Sequence, residues 1–169
     1  MTTRRDTRLA IAERPGRRDH LHGAWWPYTT DIEHELGPML WRALTSTHAV
    51  LGVTLNRDEW PGAPLHPQPL STRNPKISWY GLTEPHLAML HCGGHQIALL
   101  VVPPDTPEEV AVTATLMTMA PGNGLPTTET MTRARERVQP TNPTEIARIG
   151  EATGPHPGRT TIFLAGAAS

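Results

Sequence analysis

The sequence predicts an α+β fold: a mainly antiparallel sheet of four to five strands with two helices packed on one face, plus a Pro/Thr-rich C-terminal extension. Three observations lead there. Several short segments alternate apolar and polar residues, the period of a half-buried strand. Two longer stretches carry apolar residues at helical spacing or no charge at all. The chain also holds 18 prolines and 14 glycines in 169 residues, so elements must be short and loops frequent.

The elements follow in order. Leu9 and Ile11 alternate with small or polar neighbours, which predicts a strand over 8–13, ended by Pro15-Gly16. Thr29, Thr30 and Asp31 are helix-capping types, and Ile32, Leu36, Leu40, Ala43 and Leu44 recur at helical spacing. Gly37-Pro38 interrupts that run, so one turn at 31–36 and a second helix at 38–45 are expected. Leu51, Val53 and Leu55 share one face of a strand at 49–56. Pro61 to Pro75 holds five prolines in 15 residues and reads as a loop.

A meander of three strands is expected next, at 76–81, 86–92 and 95–102. Gly93-Gly94 is a two-residue hairpin signal of the primed turn type. Pro103-Pro104 stops the sheet, and Pro107, Glu108 and Glu109 open a helix over 106–120. Val110 to Ala120 carries no charge, so that helix calls for heavy burial. A single domain over 1–120 is therefore expected. Residues 121–161 hold eight apolar side chains in 41, too few to offset ordering entropy alone. Residues 121–169 are expected as a C-terminal extension, partly disordered or docked, with room for a short helix at 132–138 or 144–149.

Composition excludes several function classes. A net charge of −1 and a single cysteine argue against a general polyanion binder, a disulfide framework and a Cys-rich zinc site. No apolar run approaches the ~20 residues that span a membrane. Met1 to Arg8 is polar with no apolar h-region after it, so a cytoplasmic protein without a secretory leader is expected. None of the four serines lies in Gly-x-Ser-x-Gly, and no glycine-rich segment opens a helix as a phosphate loop does.

His86, His91, Cys92 and His95 crowd one window and invite a metal or thiol reading. Hairpin geometry disperses them. A two-residue loop pairs Cys92 with His95 and turns His91 to the other face, while His86 lies about 20 Å along the strand. Two ligands fall short of the three or four that an ion needs. His20-x-His22 has no acidic partner placed by sequence. No cofactor or metal is expected.

The aromatics are more informative. Seven of eight lie between residues 25 and 80. The box Gly23-Ala24-Trp25-Trp26-Pro27 resembles that of an actinobacterial family of small proteins of unknown function. Arg8-Leu9, Trp60, Trp79 and Leu99 to Thr106 support that resemblance in order. It covers roughly 8–120 and implies a single intracellular α+β domain with no assigned activity. It also implies an arginine after the proline and an acidic residue before the glycine, where this chain has Tyr28 and His22.

Three functions are carried forward. The first is a non-catalytic binding module for a small ligand or protein partner, with a pocket lined by Trp25, Trp26, Trp60 and Trp79 and Arg18 or His20 at its mouth. The second is an enzyme using His20 or His86 as general base. The third is a nucleic-acid accessory using the arginines of residues 4–18. The sequence sets no oligomeric state.

Overall fold

A computed structural model describes residues 6–13, 19–46, 50–64, 75–80 and 84–139. The chain divides into two compact units, Met1–Val138 and Gln139–Ser169. The account below concerns the first. The alternative short helix expected at 144–149 lies outside the described residues, as does most of the 61–75 loop.

The first unit is α+β, with six strands and three helices. The strands are β1 (Arg8–Ile11), β2 (Gly23–Trp26), β3 (Val50–Asn56), β4 (Lys76–Tyr80), β5 (Leu87–Cys92) and β6 (His95–Val101). The helices are α1 (Ile32–Ser46), α2 (Glu108–Met119) and α3 (Thr127–Val138). The sheet order is β1-β2-β6-β5-β3-β4.

The sheet is mixed, not mainly antiparallel, and has six strands where four to five are expected. β2 pairs in parallel with β6, and β3 with β4. β2 escapes the sequence pattern because it is sandwiched. Trp25 faces one hydrophobic cluster and Trp26 the other, so the strand shows no alternation. The meander fails at β4, which pairs with β3 instead of β5. Only β5 and β6 are joined tightly enough to force adjacency, and their register, Cys92 with His95 and His91 with Gln96, is the expected one. Of the two loop glycines only Gly94 has positive φ, 93°, the pattern of a type II turn and not a primed one. Glycine at both positions permits either.

The helices lie on opposite faces, not on one. Ile32, Leu36, Met39 and Ala43 of α1 pack with Trp25, Val53, Leu55, Leu90 and Leu99. Val110, Ala111, Ala114 and Met117 of α2 pack with Ala24, Ala98 and Leu100, joined by Met131 and Ala134 of α3. The reason lies in β6. Ile97 to Val102 is apolar without interruption and buried throughout, so each face needs a cover.

Two local details hold this frame. α1 runs through Pro38, whose missing N–H spares the carbonyl of His34, a residue open to water. Gly23 has φ 156°, and a Cβ there would stand 2.1 Å from the Ala10 carbonyl oxygen. Only glycine lets β1 close on β2 at that point.

Candidate functional site

β2, β3, β4 and β6 run the same way, so their C-terminal ends share one edge, where the antiparallel β5 begins. In open sheets the crevice beyond the carboxyl ends of strands is the usual ligand position. Here it is a cavity of about 200 Å³. Pro27, Thr29 and Thr30 after β2, Glu59 and Trp60 after β3, Pro103 to Asp105 after β6, and His86 before β5 form its wall.

Local sequence builds each piece. The Asn56 side chain accepts the Asp58 N–H and starts a single 3-10 turn over Arg57–Glu59, which turns Glu59 and Trp60 back over the sheet edge. Trp60 is 2% exposed and stacks on Trp25, ring centroids 5.2 Å apart. Pro103-Pro104 prevents β6 from continuing. Backbone bonds tie the strand ends together: Val102 N–H to Trp25 carbonyl and Val101 N–H to His86 carbonyl, both 2.8 Å.

Glu59 and His86 form the polar wall. Glu59 Oε1 accepts the backbone N–H of His86 and lies 3.1 Å from its Nδ1. Among the described residues, Glu59 Oε2 and Trp60 Nε1 are buried without a hydrogen-bond partner. His86 holds φ 60°, the left-handed region that side chains other than glycine rarely occupy. Nearby, burial together with the Glu59 and Glu84 carboxylates pushes the Tyr80 hydroxyl up to about 12, and it donates to the Leu87 carbonyl at 2.7 Å. Tyr80 is therefore neutral and structural at physiological pH.

The sequence-predicted residues scatter. Trp25 and Trp60 meet in one stack, and Trp79 is partly buried in the same cluster with the Arg57 guanidinium 5.7 Å from its ring. Trp26 lies on the other face, under the Arg8 guanidinium at 3.5 Å. His20 is exposed and pairs with Glu84 at 3.1 Å, away from the cavity wall. Arg18 lies outside the described residues. Of the five that are described, Trp60 alone is in the cavity wall. Nothing in the residue pattern singles out Glu59, which simply stands between β3 and Trp60.

Glu84 serves α3. Its Oε1 accepts the Thr127 N–H at 2.8 Å. Burial alone would raise this carboxyl, but the Thr127 N–H and the His20 ring draw it below the usual range. Arg8 is engaged as well, donating to the Trp26 and Pro27 carbonyls and lying 3.9 Å from the Tyr28 ring. The other arginines of residues 4–18 lie outside the described residues. Among the described residues no three His, Cys, Asp or Glu side chains gather as a metal site. No helix described is long and apolar enough to cross a membrane.

The model of DUF5994, a family of unknown function, matches residues 8–120. The chain belongs to that family. No curated protein and no solved structure matches it. Every residue of the DUF5994 span that walls the cavity lies between Pro27 and Asp105, whereas α3 falls beyond the match.

Proposed function

We propose that this chain is a small-molecule binding module whose ligand occupies the cavity at the C-terminal ends of β2, β3 and β6. The observation that carries the reading is the concave site itself, beyond the carboxyl ends of three strands, with Glu59 and His86 as its polar wall. Three loops from separated strands meet there, and the stacked Trp25–Trp60 pair beneath offers a rigid apolar floor. The test is protein-detected NMR against a fragment collection. Shifts clustered at Trp60, His86 and Val101 are expected. Hits confined to the shallow groove lined by Leu116, Met117 and Leu125 would sink the reading.

A second reading is favoured by the Glu59–His86 contact. With Nδ1 held by Glu59, the neutral ring presents Nε2 as a base, the arrangement of a general base with its orienting carboxylate. Turnover of any substrate that falls together in His86→Gln and Glu59→Gln would favour it, and turnover unaffected by either would end it.

A further inference from the structure

Resting on the cavity being the ligand site, we infer that it selects a small organic cation, an apolar body that carries a primary or secondary amine. The charges in its wall point one way. Glu59 and Asp105 are acidic, His86 is already hydrogen-bonded to Glu59, and among the described residues no lysine or arginine lines the cavity. Carboxylate side chains in a wall call for donors from a ligand, because a carboxylate only accepts. An ammonium N–H is the strongest small donor available, since both partners are then charged. The remaining wall is apolar: Trp60, Pro27, Val101 and Pro103. An indole ring close to a carboxylate is a surface that attracts an ammonium twice, through its π face and through the charge.

The opposite reading, an anion held by the starts of α1 and α2, meets acidic side chains at both. Asp31 Oδ1 accepts the Glu33 N–H, the Asp31 carbonyl accepts the Glu35 N–H, and Glu35 Oε1 accepts the Thr29 N–H. The first turn of α2 carries Glu108 and Glu109. The Arg8 guanidinium behind Pro27 donates to two backbone carbonyls and is packed against the rings of Trp26 and Tyr28. A carboxylate ligand would face Glu59 and Asp105 with no counter-charge from the wall.

Three probes of one shape separate the cases: benzylamine, benzyl alcohol and benzoate, titrated into the full chain and followed at the Trp60 indole and His86 resonances. Benzylamine is expected to bind about tenfold or more tightly than either analogue, the usual size of one desolvated charge pair. In Glu59→Gln the amine should lose its advantage over the alcohol. Asp105→Asn, at an exposed position, should narrow it by a smaller factor and keeps the test available if Glu59→Gln does not fold. Benzoate or the alcohol binding as tightly as the amine overturns the cation inference and leaves the cavity standing. No response from any probe up to its solubility limit overturns both.

Discussion

The two ends of the sheet make an instructive pair. At the β5–β6 hairpin tip, His91, Cys92 and His95 stand within five residues, the densest reactive window in the chain. At the opposite rim, Glu59 and His86 are 27 residues apart, and the sequence pattern draws attention to His86 but not to its carboxylate partner. Yet the tip is chemically closed. His91 Nε2 is 2.6 Å from Thr54 Oγ1, its Nδ1 is 3.2 Å from Gln96 Nε2, and Cys92 is buried, which pushes its thiol up. The rim holds the Glu59–His86 contact, the left-handed histidine and the cavity. Density along the chain is a poor guide to a site, because chemistry needs convergence and open valence, and neither is a local property.

That contrast can be broken most forcefully at glycine. Gly23→Ala drives a Cβ into the Ala10 carbonyl oxygen and should cost at least about 3 kcal/mol, or prevent folding, because backbone must move. Gly93→Ala at the tip meets nothing within 4 Å and should stay within about 0.5 kcal/mol. Urea unfolding of the two variants decides it, and equal losses would mean that the close approach of β1 to β2 does not require glycine.

Trp60→Ala comes next. Removing a fully buried indole should cost about 3–5 kcal/mol, more than Trp79→Ala, whose ring is only partly buried. The reverse order would show that the Trp25–Trp60 stack is not the floor of the rim.

A pH effect should follow from His22, near the tip. Its Nδ1 accepts the Ala98 N–H at 3.0 Å, which requires the neutral ring. Burial lowers its pKa from the ordinary 6.5, with Asp19 opposing. Below 6.5 the unfolded chain therefore takes up a proton that the folded chain resists. Stability should fall on acidification through the window between 6.5 and the lowered value, by up to about 1.4 kcal/mol per pH unit. His22→Asn, whose Oδ1 replaces Nδ1 as acceptor, should flatten that slope. A slope unchanged in the variant would assign the effect elsewhere.

The gentlest test is chemical. Native Cys92 should react with iodoacetamide at least about tenfold more slowly than a free cysteine, since its thiolate is disfavoured and the sulfur is covered. Fast labelling of the folded protein would reopen the tip as a reactive end.

Much of the fold is legible along the chain. Leu51, Val53 and Leu55 mark β3, Gly93-Gly94 sets the β5–β6 register, and Pro107-Glu108-Glu109 marks the start of α2. These rest on contacts between residues close in sequence, where periodicity and turn chemistry act directly. The shared face expected of Leu51, Val53 and Leu55 fails at Leu51, which is 61% exposed because the register with β5 shifts between Val50 and Gly52. Strand order, the face each helix takes and the place of β2 rest on contacts across the whole unit. A strand buried on both sides, as Gly23–Trp26 is, loses the alternation that would reveal it. The cavity belongs to this second kind. Residue types alone name a histidine and several tryptophans. Only the parallel alignment of β2, β6 and β3 brings the ends of three distant segments to one edge, where Glu59 meets His86.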